Sequence, residues 1–545
     1  MNKTVQIIGT PPSVVISSGE VVAGQIMVML QNGSGLADAE DQLRQHGLIL
    51  KDAEQSSRSM RIWTLSFVPE TNMDDALKTC RSIPSVQLAQ FNHYVAPRAV
   101  FPNDSLFPQL WNMDNTGQSG GFPDADIDAP EAWNITTGGM TVAGDTIVVA
   151  VIDGGFSLTH QDLNFRKNYF EIPGNGIDDD NNGYIDDYDG WNAYNSSGNL
   201  IQDNHGTHVT GIVGARGNNV LGVTGINWNV QIMPVMGSSQ TESEVVEAYT
   251  YVLDARRLWN QTNGQQGAFV VASNSSFGVN FGQPANFPIW CAMYDSLGQA
   301  GILNACATAN LNIDVDAQGD IPTACASPFM IGITNTTRFD QRNSSAAYGL
   351  TTIDLGAPGT QVLSTINNNQ YSILTGTSMA TPHVAGAIAL MYAAACPQLI
   401  ADYKLYPDSI SLLMLNLLLN STDPITSLNG QTVTGGRLNI NNALMAVQNY
   451  CLGNAVNESS DNTQVTVYPN PADKQLFVRC SLQLNQPVHL SLMDLMGIKV
   501  YQQQYAVDSG SNEFSIDISA IASGVYILNI EQEGVRISSR KVLVE

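Results

Sequence analysis

The sequence predicts an α/β protein. Its main body is a parallel sheet with helices on both faces, preceded by a small α+β domain and followed by a small antiparallel β-sandwich. Three observations predict this. Between residues 101 and 455, near-continuous apolar runs alternate with helical stretches, and strands of that kind belong in sheets covered on both sides. Residues 1–100 pass twice through a strand–helix–strand pattern, as in a split βαβ sheet. From residue 465 the pattern turns to short alternating strands separated by turn residues.

The elements follow in chain order. In 1–100, "GQIMVML", "RIWTLSF" and "VQLAQF" read as strands, and "ADAEDQLRQHG" and "MDDALKTCRSI" as helices. The segment "NHYVAPRAVFPNDS" has the prolines and polar residues of a boundary. In 101–455 the buried-type strands are "TIVVAVID" (146–153), "AFVVASNSS" (268–276), "GILNACATA" (301–309) and "FMIGIT" (329–334). Helices are expected at 205–215, 241–260, 290–299 and 378–396. Residues 456–464 are polar and read as a linker. The last part, 465–545, offers seven short strands, from "VTVYPNP" to "KVLVE".

Acidic residues outnumber basic ones 49 to 23, for a net charge of −26. That balance argues against nucleic acid as a partner, because phosphate binding needs basic patches. The longest apolar run, "VAGAIALMYAAAC", is well short of the roughly 20 residues that span a bilayer. No transmembrane segment is expected, and the run reads as a buried helix. The N-terminus lacks the apolar core of a signal peptide. Either the protein stays inside the cell or a signal has been removed.

The chain has seven cysteines and no C-x-x-C pair. The expected disulfides are Cys291–Cys325 and Cys396–Cys451. The second would tie the end of a core helix to the end of its domain, for about 4 kcal/mol of loop entropy. The alternative is that all thiols are free and buried.

Three motifs suggest one site. "VIDGG" closes an apolar strand with Asp153, at the carboxyl edge where open α/β sheets place their sites. "HGTHVTG" begins a helix with His205. "GTSMATPHVAG", 376–386, puts Ser378 where a helix starts, beside N–H groups that have no internal partner and favour negative charge. Gly376 and small neighbours leave room for a substrate backbone, and Pro382 is expected in the first turn, where a missing N–H matters least.

In wording and order these motifs resemble the subtilisin-like serine proteases over about 101–455. The resemblance implies a subtilisin-like fold and hydrolysis of peptide bonds through an acyl-enzyme. Ser378 is then the nucleophile, His205 the general base and acid, and Asp153 the group that fixes the imidazole tautomer. Asn310 in "ATAN" matches the oxyanion asparagine, with the Ser378 N–H as second donor. The family often has glycine before that asparagine, where this chain has Ala309. "NSSFG", 274–278, resembles the edge strand that pairs with an extended substrate, through Ser276, Phe277 and Gly278. His208 and His383 are expected to pack structurally.

The stretch "DDDNNGYIDDYD", 178–189, carries six aspartates in twelve residues. Its spacing fits an EF-hand-like calcium loop. Asp178, Asp180 and Asn182 take the first, third and fifth places, with Gly183 at the sharp turn. The Tyr184 carbonyl, Asp186 and Asp189 take the seventh, ninth and twelfth. Related proteases commonly bind calcium, so a structural Ca²⁺ is expected here. A solvated acidic turn is the alternative.

Residues 1–100 resemble the N-terminal propeptides of the same family, which implies a precursor cleaved somewhere in 92–103 and a domain that acts as a partner of its own protease. The C-terminal stretches "VYPNPA", "LMDLMGIKVY", "ISAIASGVYILNIE" and "KVLVE" resemble the sorting domains of type IX secretion cargo in Bacteroidota. That resemblance implies the type IX machinery as partner and a location outside the cell or on its surface. The expected function is a secreted serine endopeptidase acting on proteins or peptides. The alternatives are a binding or adhesion protein of the same fold with a silent site, and an esterase with the same triad.

Overall fold

The computed structural model describes residues 4–6, 15–17, 21–93, 99–454, 465–469, 472–482, 487–494, 499–506, 510–522, 524–532 and 535–544. The expected linker 456–464 lies outside them, as do residues 94–98 of the expected cleavage stretch. The chain divides into two compact units, Met1–Arg98 and Ala99–Glu545.

In the first unit a four-stranded antiparallel sheet runs in the order Leu50–Ser57, Ile62–Phe67, Val21–Leu30, Val86–His93. Helices Leu36–Gln45 and Met73–Ser82 bury Leu43, Leu77 and Cys80 against Ile26, Val28 and Leu65. Asn72 starts the second helix by accepting the amides of Asp74 and Asp75. The 50–57 strand has no counterpart in the sequence reading. It is an edge strand, "LKDAEQSS", with no fully buried residue, so little apolar alternation marks it.

The second unit is built on a nine-stranded sheet. Its order is Asp423–Pro424, Gly436–Arg437, Leu355–Pro358, Met330–Thr336, Leu303–Ala307, Val270–Ser275, Val148–Asp153, Gln231–Met236, Trp191–Asn192. All neighbours are parallel except the first pair. The four expected strands occupy adjacent central positions, buried on both faces. The 231–236 strand, interrupted by Pro234, did not read as one. One face carries the helices Asn204–Gly214 and Thr377–Ala394 in the larger core, and Glu242–Thr262 and Pro288–Gln299 contribute to the core on the other.

The 377–394 helix is buried along nearly its whole length, which explains an apolar run with no polar face. No single helix among the described residues is long and apolar enough to cross a membrane. Both expected disulfides form: Cys291–Cys325 and Cys396–Cys451. Cys80 and Cys306 are buried free thiols.

In the C-terminal part, strands Val465–Tyr468, Gln475–Leu482 and Gly510–Asp517 form one antiparallel sheet. Lys499–Tyr505, Val488–Asp494, Gly524–Gln532 and Val535–Val544 form another. Their alternate residues, among them Leu476, Val478, Leu490, Leu492, Phe514 and Leu528, make one core, as a β-sandwich requires.

Candidate active site

The carboxyl ends of the central strands place the motif residues. Asp153 is the last residue of the 148–153 strand, and His205 is the second residue of the 204–214 helix. The helix can approach the strand end because residue 206 is glycine. A Cβ there would lie 2.2 Å from the Gly155 carbonyl oxygen and 2.9 Å from Asp153 Cβ. His205 Nδ1 then meets both Asp153 oxygens at 3.0 Å. Asp153 itself is buried.

A third group enters from the residue before the helix. The Asp203 carboxylate does not cap the helix; one of its oxygens lies within 4.8 Å of ligand-type atoms of Asp153 and His205. Burial alone would lower the His205 pKa. The hydrogen bond and charge of Asp153, with the charge of Asp203, outweigh it, and the net shift is upward from the ordinary value. Nothing in the sequence reading singled out Asp203, because an acid before a helix reads as a cap.

Ser378 is the second residue of the 377–394 helix, which packs against the 204–214 helix. Its hydroxyl is not hydrogen-bonded to His205. It donates instead to the Ser276 carbonyl at 3.3 Å, and Ser276 Oγ donates back to the Ser378 carbonyl at 3.0 Å. The first contact is one that rotation of the Ser378 hydroxyl can exchange for another acceptor.

The second contact corrects the reading of Pro382. Counted from Thr377, it stands in the second turn of the helix, where its missing N–H leaves the Ser378 carbonyl without its helical donor. Ser276 Oγ supplies that donor, and is itself held by Asn274 Nδ2 at 3.1 Å. Ser276→Ala is therefore expected to leave a buried carbonyl unpaired, at about 1–3 kcal/mol, and to lower the melting temperature. A melt unchanged by the substitution would count against this account.

Asn310 follows the 303–307 strand and is exposed. Its Oδ1 accepts the Thr377 N–H at 2.9 Å, and Thr377 Oγ1 donates to the Thr308 carbonyl at 2.6 Å. With Oδ1 so engaged, Nδ2 is left to donate, next to the start of the serine helix. Thr377 was missed at the sequence level because its part is played through an asparagine 67 positions away.

The expectation that 274–278 is an edge strand does not hold throughout. Asn274 and Ser275 pair on both sides, with 305–306 and with 151–152. Only 276–278 run on past the ladder. Gly278 passes so close to the next strand that a Cβ would lie 2.2 Å from the Ile321 carbonyl oxygen. His208 and His383 are core residues. His208 Nε2 lies at 3.0 Å from the Ser372 carbonyl, and His383 joins the Met379 carbonyl to Asn112. Burial pushes both imidazoles down to about 4.

The subtilase family matches residues 144–435, more than half of the chain, and that span contains the strand ends and helix starts just described. This chain belongs to the subtilase family. Residues 466–545 match the secretion system C-terminal sorting domain. The chain is 28% identical over 322 residues to subtilisin-like protease 1 of Plasmodium falciparum, covering 54% of this chain and 43% of that protein. It is 28% identical over 355 residues to an extracellular protease of Xanthomonas campestris, covering 62% and 55%. A solved protease from Pseudoalteromonas arctica is 22% identical, with a TM-score of 0.45, over 64% of this chain and 99% of that one. The chain spans less than half the length of the first curated relatives it matches.

In this subtilase the acidic loop is folded around a group the sequence reading did not include. Glu171, buried and outside the motif, gathers with Asp178 and Asp180 so that one oxygen of each lies within 4.8 Å of the others. Glu171 also ties the loop down, accepting the amides of Asp179, Asp180 and Asp186. Gly183 takes φ +97°, the left-handed turn its place requires.

The remaining expected ligands are engaged differently. Asn182 turns its amide nitrogen to Asp180 and Asp187, so it donates here. Asp186 accepts the amides of 174–176, and Asp189 pairs with Lys167. The Tyr184 ring is fixed between Trp191 and Tyr251, with its hydroxyl on Asp254. A cluster of hard carboxylate oxygens suits Ca²⁺ or Mg²⁺ by donor chemistry. Asp178 and Asp180 are the first and third places of the expected loop, whereas Glu171, 7 and 9 residues upstream of them, falls outside its spacing.

Proposed function

We propose that this subtilase is a secreted serine endopeptidase, made as a precursor, that hydrolyses peptide bonds through an Asp153–His205–Ser378 triad. The observation that carries the reading is the pairing of His205 Nδ1 with both oxygens of Asp153. It holds the proton on Nδ1 and leaves Nε2 as the free base. Ser378 attacks the carbonyl carbon, and His205 takes its proton and later gives it to the leaving amine. The developing oxyanion is met by the Ser378 N–H at the helix start and by Asn310 Nδ2, whose orientation Thr377 fixes. The extended substrate lies along Ser276, Phe277 and Gly278, mainly through backbone contacts.

In this reading 1–100 is the propeptide domain, 101–455 the peptidase, 456–464 a linker and 465–545 the sorting domain that hands the protein to the type IX machinery. The protein then works outside the cell or on its surface, in keeping with the sorting-domain match. A calcium ion held by Glu171, Asp178 and Asp180 supports the loop beside the sheet edge and takes no part in the chemistry. The test is fluorophosphonate labelling: Ser378 is expected to be modified irreversibly, with casein cleaved faster than a short-chain ester. Absence of labelling in a folded, processed sample would leave the binding-protein alternative.

The raised His205 pKa has a defined sign. The imidazole must be neutral to act as base, so activity is expected to rise with pH through a value above the ordinary 6.5 or so. Asp203→Asn removes one of the two charges that hold the proton on, and shifts this acid limb of kcat/KM to lower pH. An acid limb unmoved by the substitution would show that Asp203 has no electrostatic hold on the base.

A further inference from the structure

We propose that Asp320 selects the substrate, favouring a positively charged side chain on the residue immediately before the scissile bond. The inference rests on the hydrolase reading above and names the substrate class of that same site. A pocket of about 80 Å³ opens beside Ser378, between residues 276–278 and residues 307–310, and Asp320 lines it. A substrate whose carbonyl carbon meets Ser378 and whose oxygen turns to Asn310 has its side chain at the mouth of this pocket, because both residues border it.

Asp320 is the one charged side chain among the residues that line the pocket. It is 1% exposed. One oxygen, Oδ2, takes all of its side-chain hydrogen bonds, from Thr323 Oγ1 at 2.7 Å, the Ala309 N–H at 3.0 Å and Thr308 Oγ1 at 3.3 Å. Oδ1 takes none, and among the described residues no cationic side chain pairs with this carboxylate. All the donors are neutral, so they fix the carboxylate in place without balancing its charge. Burial accordingly pushes its pKa up to about 6. A buried carboxylate with one anchored oxygen and one oxygen left over gains most from a cation delivered through the adjoining cavity.

The wall that carries Asp320 is tied to the rest of the domain at two points. Residues 320–321 pair antiparallel with 279–280, and the Cys291–Cys325 disulfide closes a few residues further on. The cavity is small, which suits an unbranched aliphatic stem ending in a charge. Sequence reading passed over Asp320 because a single aspartate before Ile-Pro carries no motif.

The experiment uses processed protein in which an aliquot is labelled by fluorophosphonate at Ser378. Peptides differing only in the residue before the scissile bond are compared by kcat/KM. Lysine and arginine are expected to exceed norleucine and glutamine by about 100-fold, the range of a buried charge partner. In Asp320→Asn the ratio is expected to collapse to within a few-fold. A second measurement needs no variant: n-butylammonium is expected to inhibit the wild-type protein competitively, and 1-butanol at the same concentration is not. Labelling together with cleavage after neutral residues only, or equal inhibition by the amine and the alcohol, would overturn the inference and leave the hydrolase reading standing. No labelling and no cleavage of any peptide would overturn both.

Discussion

Alanine at Ser378 is expected to reduce kcat by about 10⁶-fold, alanine at His205 by a similar factor, and the double substitution by no more than either alone. The reason is that, in the proposed mechanism, the two groups act on one proton. A serine without its base is a weak nucleophile, and a base without the serine has nothing to activate. The prediction is sharp for this protein because Ser378 Oγ points to the Ser276 carbonyl and not to His205. If that arrangement persisted with substrate bound, the two substitutions would act independently and their effects would multiply. Single-turnover kinetics on the two single variants and the double variant decide the matter, with casein or a labelled peptide as substrate. What survives in all three comes from the oxyanion donors and binding, which neither substitution touches.

Exhaustive dialysis against EDTA is expected to lower the melting temperature by on the order of 10 °C, and added Ca²⁺ to restore it. An ion bound a thousandfold above its Kd contributes about 4 kcal/mol to the folded state. For a domain of this size each kcal/mol moves the midpoint by a few degrees. The carboxylates that gather fix which variants should matter. Glu171→Gln and Asp178→Asn are expected to abolish the calcium-dependent part of the shift, since both belong to the cluster. Asp189→Asn is expected to leave it in place, because Asp189 is committed to Lys167. A melt indifferent to EDTA would remove calcium from the account. A shift abolished by Asp189→Asn but not by Glu171→Gln would restore the loop-only ligand set.

Much of the fold was legible because burial writes itself into the chain. The four central strands stood out as apolar runs since both faces of each are covered, and the 377–394 helix stood out for the same reason. The alternating strands of the C-terminal sandwich were legible because every second residue of them, such as Leu476, Val478 and Leu490, is apolar and turns into one shared core. Among the elements that escaped are the polar edge strand 50–57, the 231–236 strand that carries a proline, and the helices Pro397–Leu405, Pro407–Leu419 and Ile440–Asn454. The site was legible where its residues sit in short local motifs around Asp153, His205 and Ser378. It was illegible where partners come from elsewhere. Thr377 acts on Asn310, Ser276 replaces the donor that Pro382 lacks, and Asp203 adds its charge to His205.

By itself, then, the chain's order of apolar and polar residues determined the layers, and its three motifs determined which side chains could carry the chemistry. Tertiary structure alone decided how those side chains are held. A hydrogen bond or a buried charge depends on distances of a few ångströms between segments far apart along the backbone. No local pattern records those distances, which is why the grouping of Glu171 with Asp178 and Asp180, and the place of Asp320 in the pocket beside Ser378, came only from the tertiary structure.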